Sequence, residues 1–420
     1  MQMDSVCVHG GVCLQGKVRI QGSKNASLPI LAATLLTKGE NVVYNCPKIT
    51  DVFQMKQLLR SIGCKIRERC DCVSVNADQI RSGKLPAEAV QGMRSSVCML
   101  GALLARCGEV TMEYPGGCVI GARPIDLHLK ALEKMGAIFH IENGMIHGIV
   151  PEGFCGAEVC FPKVSVGATE NVILAAVLAK GRTRIIHAAK EPEVVALCEY
   201  LVKCGADIKG IGSDCLIING AGQLCGCCMK IPADRIVAGT YLFAVLAAGG
   251  NAWLEEAPCN EMQAVLQVAE RMGALCQESP MGLYVQAPEE LQPIACLRTG
   301  EYPDFPTDLQ SAVTVAALRA KGETVIEETI FENRFHIVEP LKTMGADIYV
   351  LDERRILIKG GKLLRGRNVE AKELRGGAAM ILAGLMTNDV TCISGCKYIL
   401  RGYENIGKDL RELGARVVSV

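Results

Sequence analysis

Two hydrophobic patterns alternate along the chain, and each recurs six times. In the first pattern an amphipathic segment runs up to a glycine and a short apolar stretch follows it. Its copies are LRSIGCKI, LEKMGAIF, LVKCGADI, AERMGALC, LKTMGADI and LRELGARV. These glycines, Gly63, Gly136, Gly205, Gly273, Gly345 and Gly414, stand 73, 69, 68, 72 and 69 residues apart. Charged residues such as Arg60, Glu133, Lys134 and Lys203 fall on one face of these copies. The pattern predicts an exposed amphipathic helix that ends near its glycine and is followed by a strand.

The second pattern lies between copies of the first and is apolar on all sides. Its copies are LPILAATLLTKGENVV, MLGALLARCGEVTM, VILAAVLAKGRTRII, YLFAVLAAGGNAWL, AVTVAALRAKGETVI and MILAGLMTNDVTCI. An all-apolar helix rich in Ala and Gly is typical of a buried helix with close backbone contacts. Two signals with one period predict an α/β chain of six units of about 70 residues. Two domains of three units each agree with the 420 residues, which exceed one ordinary core.

Composition narrows the classes of partner and the cellular location. Forty-five basic and 45 acidic residues balance, so we expect no nucleic acid or membrane surface as the main partner. A local basic pocket for a small anion remains compatible with this balance. The longest apolar run, residues 172–179, is far shorter than the about 20 residues that span a bilayer. No basic stretch followed by an apolar one opens the chain, so we expect a cytoplasmic protein.

Twenty-two cysteines are many for this length. Because the chain is large and rich in core material, we expect reduced thiols used as small apolar residues. The run Cys225-Gly226-Cys227-Cys228 contains a CxxC spacing, but no second ligand pair lies at a convincing distance in sequence. We therefore predict no metal site.

Residues 22–27, directly before the first apolar helix, hold Lys24. A lysine at a helix N-terminus opposes the helix dipole, which favours anions there. A bound anion between the dipole and the ammonium would explain it, and a solvated loop lysine fits equally well. The residues alone leave both interpretations open.

Two further segments carry candidate nucleophiles or bases. Residues 114–124 contain three glycines and two prolines, and they hold Cys118 on a loop close to Arg123. A thiol near basic groups has a lowered pKa, which favours a functional thiol over a filler cysteine. In residues 304–310, Thr307 and Gln310 have the spacing of a capping box. This spacing favours Asp308 as a partner of the helix dipole rather than as a base.

Arginines stand alone at the ends of predicted elements, outside any basic run. They are Arg94, Arg334, Arg375 and Arg401. Together with Lys24 and Arg123 they predict a site for a multiply charged anion, since guanidinium forks match carboxylate and phosphate. The chain lacks GxxxxGK[ST] and a GxGxxG after a strand, which argues against a P-loop nucleotidase or a Rossmann dehydrogenase.

Six segments together resemble the signature of a known family. They are GSKNASLPILAA, PGGCVIGARPIDLH, KVSVGAT, FPTDLQ, FENRF and RGYENI. In this order they resemble the UDP-N-acetylglucosamine enolpyruvyl transferases, from near residue 17 to the C-terminus. The resemblance implies an inside-out α/β barrel of two domains, residues 1–23 plus 232–420 and residues 24–231, with the active site in the cleft between them. EPSP synthase shares this fold but lacks such a cysteine loop.

The resemblance also implies the reaction and its residues. The enolpyruvyl group of phosphoenolpyruvate would pass to the 3′-hydroxyl of UDP-N-acetylglucosamine, with release of phosphate and without a metal or organic cofactor. Cys118 would donate the proton to C3, and Asp308 would accept the hydroxyl proton, which overrides the capping interpretation. Lys24, Arg123 and Arg401 would hold the phosphate, Arg334 and Arg375 the carboxylate, with Arg94 in the same cluster. The UDP-sugar would be bound by Asn25, Arg94, Arg123, Pro124, Ile125, Asp126, Leu127, Lys163, Ser165, Val166, Gly167, Asp308 and Ile330.

Several expectations complete this interpretation. Asp234 and Glu332 resemble supporting acids, while Glu373 and Tyr398 depart from the family pattern, where Asp and His are common. The alternatives are an enolpyruvyl transferase for another acceptor, such as shikimate 3-phosphate, and a weakly active regulatory paralogue. The Cys118 loop and the Lys163–Gly167 segment argue against the first, and intact Lys24, Cys118, Asp308 and Arg401 argue against the second.

Overall fold

A computed structural model describes residues 5–69, 71–80, 82–86, 94–115, 121 and 124–419. These residues divide into two compact units. The terminal unit comprises residues 5–21, 121 and 233–419, and the central unit comprises the described residues of 22–115 and 124–232. Cys118 and Arg123 lie outside the described residues.

The central unit alternates helices with short strands. Its described helices are α1 (Lys24–Ala33), α2 (Thr50–Ser61), α3 (Met99–Cys107), α4 (Asp126–Lys134), α5 (Val166–Ala176) and α6 (Pro192–Lys203). Its strands are β3 (Thr37–Lys38), β4 (Glu40–Tyr44), β5 (Lys65–Arg69), β6 (Cys72–Asn76), β7 (Glu109–Glu113), β8 (Ile138–Glu142), β9 (Met145–Ile149), β10 (Glu158–Cys160), β11 (Arg182–Ile186), β12 (Asp207–Lys209), β13 (Cys215–Asn219), β14 (Leu224–Cys225) and β15 (Cys228–Lys230). They pair in the orders β15-β4-β6-β5, β7-β9-β8, β10-β11-β13-β12 and β14-β3.

The terminal unit is built from the same kinds of element. Its helices are α7 (Arg235–Ala248), α8 (Gln263–Arg271), α9 (Gln310–Arg319), α10 (Val338–Thr343), α11 (Leu374–Leu385) and α12 (Ile406–Glu412). Its strands are β1 (Ser5–His9), β2 (Leu14–Arg19), β16 (Gly250–Glu255), β17 (Leu275–Ser279), β18 (Gly282–Gln286), β19 (Cys296–Gly300), β20 (Phe305–Pro306), β21 (Glu323–Glu327), β22 (Asp347–Asp352), β23 (Arg355–Lys359), β24 (Asn368–Glu370), β25 (Val390–Ser394) and β26 (Arg416–Ser419). Their orders are β24-β25-β1-β26, β17-β18-β16-β2 and β20-β19-β21-β23-β22.

The all-apolar helices form the two cores, as their pattern predicts. In the terminal unit α7, α9 and α11 pack against one another, and in the central unit α3 packs against α1 and α5. In α7 every residue from Ile236 to Ala247 is buried. Parallel and antiparallel strand pairs cover these helices, so the α/β prediction is confirmed. Among the described residues, no helix combines the length and apolar character that a membrane span requires.

The amphipathic helices end where the glycine pattern predicts. Gly63, Gly136, Gly205, Gly273, Gly345 and Gly414 have φ angles of 105°, 107°, 104°, 93°, 97° and 85°. A Cβ atom is strained at these angles, so glycine lets the chain reverse from each helix into the next strand. The repeat pattern therefore locates these helix ends correctly.

One expectation about the cysteines is wrong. Cys7 in β1 and Cys392 in β25 face each other in antiparallel register and form a disulfide, with Cα atoms 4.1 Å apart. The two residues are 385 positions apart, so only the strand register brings them together. The remaining cysteines of the described chain are not part of a disulfide.

Candidate active site

A carboxylate lies between two buried guanidinium groups in the terminal unit. Arg334 Nη2 lies 2.7 Å from Asp308 Oδ1, and Arg375 Nη2 lies 2.9 Å from Asp308 Oδ2. The Arg375 Nε–H also donates to Oδ2 at 3.2 Å. The arginine side chains are 3% and 4% exposed, and that of Asp308 is 28% exposed. Three sequence-predicted site residues therefore lie together, with Asp308 as the partly accessible member.

The capping box predicted around Asp308 does not form. A 3-10 helix spans Thr307–Leu309, and its cap position makes no side-chain hydrogen bond. Instead, the Thr307 hydroxyl donates to Glu328 at 2.9 Å, and the Gln310 amide donates to Thr314. The Thr307 hydroxyl is therefore hydrogen-bonded to a carboxylate that is distant in sequence, and it does not take part in the capping box that the local spacing predicts.

Glu328 is a positioning residue that the sequence did not reveal. Its carboxylate is fully buried and joins the Asp308 segment to the turn before Arg334. Besides the Thr307 hydroxyl, it accepts the backbone N–H groups of Ile330 at 2.8 Å and Phe331 at 3.1 Å. Three donors compensate a buried charge that would otherwise be costly. Ile330, a predicted ligand of the UDP-sugar, is thereby held at this turn.

The cap of α11 places the second arginine. Glu373, which replaces the Asp expected from the family pattern, accepts the backbone N–H groups of Arg375 at 2.8 Å and Gly376. The longer acid therefore still caps the helix. Burial alone would lower the pKa of Arg375, but Asp308, Tyr403 and Asp234 raise it, so the guanidinium stays charged.

The two arginines retain unused donors. Among the described residues, Arg334 Nε and Arg375 Nη1 have no hydrogen-bond partner although both atoms are buried. A buried N–H without an acceptor is costly, and an anionic oxygen would satisfy it with a charge-assisted hydrogen bond. The cluster can therefore bind an oxyanion beside a carboxylate that accepts protons.

Other predicted residues of the terminal unit have diverse surroundings. Asp234 is a buried N-cap of α7 that accepts the backbone N–H groups of Ile236 and Val237 at 2.9 and 3.1 Å, so it has a structural role. Glu332 is exposed and lies 3.7 Å from Arg354. Arg401 is half-buried at the end of a 3-10 helix.

Lys24 has an ion-pair partner in the central unit. It is the first residue of α1, its side chain is 14% exposed, and its Nζ lies 3.3 Å from Asp51 Oδ2. Asp51 is fully buried in the first turn of α2. The solvated-loop interpretation of Lys24 is therefore wrong. The carboxylate offsets the lysine charge, which explains why a helix N-terminus accommodates this residue.

The start of α5 brings Ser165, Val166 and Gly167 together. Ser165 is the N-cap, and its hydroxyl accepts the Ala168 N–H at 3.4 Å. Unpaired N–H groups in the first turn of a helix favour an anionic ligand. Lys163 is exposed two residues earlier.

A buried histidine supports this helix start, and the sequence showed it only as part of a motif. A Cβ built on Gly167 would lie 3.0 Å from His128 Cε1, so the ring packs against the backbone there. The Gly101 N–H donates to Asn171 Oδ1 at 2.6 Å, which fixes the orientation of the amide. Asn171 Nδ2 then donates to His128 Nδ1 at 3.0 Å. A neutral His128 therefore carries its proton on Nε2.

The remaining predicted ligands of the central unit differ in exposure. Ile125 is fully buried in the core, so its side chain is not available to a ligand. Pro124 and Asp126 are exposed, and Leu127, Asn25 and Arg94 are partly buried. Arg94 begins the 3-10 helix Arg94–Cys98.

Comparison with known proteins identifies the family. The family model described as EPSP synthase (3-phosphoshikimate 1-carboxyvinyltransferase) matches residues 8–410. The chain belongs to this family. A relative from Oleidesulfovibrio alaskensis named UDP-N-acetylglucosamine 1-carboxyvinyltransferase is 42% identical to this chain over 99% of both chains. A relative of the same name from Sulfurovum sp. is 41% identical to it, over 98% of this chain and 97% of the relative. A third, UDP-N-acetylglucosamine 1-carboxyvinyltransferase 1 of Halalkalibacterium halodurans, is 39% identical over 100% of this chain and 95% of the relative. These relatives confirm the resemblance drawn from the motifs.

Two solved structures share the fold. The enolpyruvyl transferase NikO from Streptomyces tendae has a TM-score of 0.87 at 22% identity, covering 99% of this chain and 98% of that one. EPSP synthase from Acinetobacter baumannii has a TM-score of 0.77 at 20% identity, covering 99% of both. At these identities the likeness concerns the mixed α/β fold alone.

Proposed function

We propose that the protein transfers the enolpyruvyl group of phosphoenolpyruvate to the 3′-hydroxyl of UDP-N-acetylglucosamine and releases phosphate. This is the first committed step of peptidoglycan synthesis. The observation that carries the proposal is Asp308 between two buried arginines with unused N–H donors. Full-length relatives named for this activity support the choice of acceptor.

The proposed reaction is an addition followed by an elimination. The 3′-oxygen forms a bond to C2 while Cys118 gives a proton to C3, and Asp308 takes the hydroxyl proton. The resulting tetrahedral ketal loses a proton from C3 and breaks its C2–O bond to phosphate. Asp308 is ion-paired to both arginines, so a substrate carboxylate that engages their free N–H groups would loosen its hold and make it a better base.

The remaining residues divide between the two substrates. Lys24, Arg123 and Arg401 would neutralise the phosphate, and Arg334 and Arg375 would bind the carboxylate, with Arg94 in the same basic cluster. The start of α5 at Ser165 would seat the diphosphate of the sugar nucleotide, because its backbone N–H groups and dipole favour negative charge there. Closure of the Cys118 loop would exclude water from the reactive intermediate.

We also propose the finer architecture as an inside-out α/β barrel with six repeated units, three in each of the domains 1–23 plus 232–420 and 24–231. The recurring pairs of one buried and one amphipathic helix support it. A cytoplasmic location with small-molecule substrates agrees with the balanced net charge.

The test is release of inorganic phosphate from phosphoenolpyruvate with three additions: UDP-N-acetylglucosamine, shikimate 3-phosphate or buffer. We expect release that requires the UDP-sugar and disappears in Asp308→Asn. Release with shikimate 3-phosphate instead would assign the other acceptor. No release from folded protein with either acceptor would point to the regulatory paralogue and reject the proposal.

A further inference from the structure

A pair of thiols in the central unit lies in direct contact, and neither cysteine is among the residues assigned to the reaction. The Cys204 S–H donates to Cys227 Sγ with the sulfur atoms 3.2 Å apart. Cys204 is 3% exposed at the C-terminal end of α6, and Cys227 is partly exposed just before β15. Cys227 belongs to the Cys225–Cys228 run that the sequence singles out.

Backbone hydrogen bonds hold both cysteines in place. The Cys225 N–H donates to the Cys204 carbonyl at 2.9 Å, so β14 is tied to the end of α6. The Cys227 carbonyl accepts the Val42 N–H at 2.9 Å, and the Cys227 N–H faces Asn41 Oδ1 at 3.3 Å. A disulfide has its sulfur atoms about 2.05 Å apart, so bond formation requires an approach of only about 1 Å.

We propose that Cys204 and Cys227 form a redox-active dithiol that small-molecule disulfides convert into an intramolecular disulfide. Among the described residues, no group of three or more metal-ligating side chains is present, so the contact favours thiol–disulfide chemistry over a metal site. The proposal is independent of the enolpyruvyl transfer proposed above.

The reaction proceeds in two exchanges. The Cys227 thiolate attacks one sulfur of the small disulfide, forming a mixed disulfide and expelling one small thiolate. The Cys204 thiolate then attacks Cys227 Sγ, forming the internal bond and expelling the second small thiolate. The two cysteines lose two electrons and two protons, and the small disulfide is reduced to two thiols.

The surroundings assign the first attack to Cys227. Burial raises the pKa of both thiols, so exchange at neutral pH is slow. The hydrogen bond from Cys204 and the charge of Lys203 act in the opposite direction on the pKa of Cys227. Cys227 is also the more exposed of the two. The buried Cys204 therefore resolves the mixed disulfide.

The cross-link would tie the end of α6 to the segment before β15. It closes a loop of 23 residues, which restricts the unfolded chain. We expect oxidation to raise the Tm of the wild type by roughly 5–10 °C relative to Cys227→Ala treated identically.

The experiment uses full-length protein reduced with a phosphine, freed of reductant and incubated with glutathione disulfide. Acid quenching, alkylation of the remaining thiols and peptide mass spectrometry then map the disulfides. We expect a Cys204–Cys227 linkage in the wild type and in Cys198→Ala, a matched variant whose altered cysteine is buried in the same helix. In Cys204→Ala we expect Cys227 to retain one glutathione.

Three results would overturn the proposal. The first is glutathione on Cys227 in the wild type without an internal linkage. The second is a linkage of Cys204 to Cys225 or Cys228 instead. The third is complete alkylation of Cys204 and Cys227 after prolonged incubation, under conditions in which Cys7 and Cys392 re-form their disulfide. Mapping of the wild type decides the question even where an alanine variant folds poorly.

Discussion

Removal of the Asp308 carboxylate tests whether the terminal unit contains a compensated cluster of buried charge. In Asp308→Ala, the guanidinium groups of Arg334 and Arg375, 3% and 4% exposed, lose their shared partner. Breaking a buried ion pair costs about 3–5 kcal/mol. Because Asp308 is itself 28% exposed, we expect the lower end, about 3 kcal/mol.

Thermal unfolding followed by circular dichroism measures this effect. For a unit of about 200 residues, 3 kcal/mol corresponds to a fall in Tm of roughly 6–12 °C. The matched control is Asp304→Ala, which removes an exposed carboxylate four residues earlier. We expect its Tm to stay within about 2 °C of the wild type, since exposed charges contribute little.

A small carboxylate should partly rescue the variant. Acetate can occupy the space left by the side chain and pair with the two guanidinium groups. We therefore expect acetate to raise the Tm of Asp308→Ala more than that of the wild type at equal ionic strength. A Tm equal to that of Asp304→Ala, or equal responses to acetate, would refute the reasoning.

Four further predictions concern single residues. Cys118→Ser should cripple turnover and abolish alkylation by fosfomycin, which the family resemblance implies at this thiol, while UDP-sugar binding measured by calorimetry is nearly unchanged; full turnover would remove the proton-donor role. Lys24→Ala should weaken phosphoenolpyruvate binding far more than UDP-sugar binding, and equal losses would indicate a folding defect. Glu328→Gln replaces one acceptor oxygen by an amide N–H group that faces the hydroxyl and backbone N–H donors now bound by the carboxylate, so Tm and kcat should both fall, with about 1–3 kcal/mol of stability lost. A Tm and a kcat equal to those of the wild type would exclude the positioning role of Glu328. Burial raises the pKa of the Asp409 carboxyl from 3.8 to about 6. The folded protein therefore binds the carboxyl proton more tightly than the unfolded chain does, and it loses stability as pH rises from about 4 to 6. Asp409→Asn should remove about 2–3 kcal/mol of this dependence in denaturant titrations at pH 4 and 7, and parallel curves for both proteins would contradict it.

The cores were predictable because they depend on local pattern. An apolar helix such as α7 has no polar face that could be exposed to solvent. The chain reverses at Gly136 with a positive φ angle, which residues other than glycine adopt only with strain. Both signals lie within a few residues. Sequence alone therefore located the buried helices and the ends of the amphipathic ones.

The site was predictable only as a set of charged residues. The arginines were expected near Asp308, but its ion pairs depend on segments up to 67 residues away. The capping interpretation of Thr307 was wrong because Glu328, 21 residues later, accepts its hydroxyl. Asp51, the partner of Lys24, carried no signal because a carboxylate in the first turn of a helix is common.

The most direct test of the proposed reaction is the mass of the product formed from UDP-N-acetylglucosamine and phosphoenolpyruvate in deuterium oxide. Addition followed by elimination turns C3 into a methyl group that then loses one hydrogen. We expect an enolpyruvyl ether of the UDP-sugar with deuterium at C3, formed together with equimolar phosphate. A product without deuterium would contradict the addition step, and unchanged UDP-sugar beside released phosphate would contradict the transfer itself.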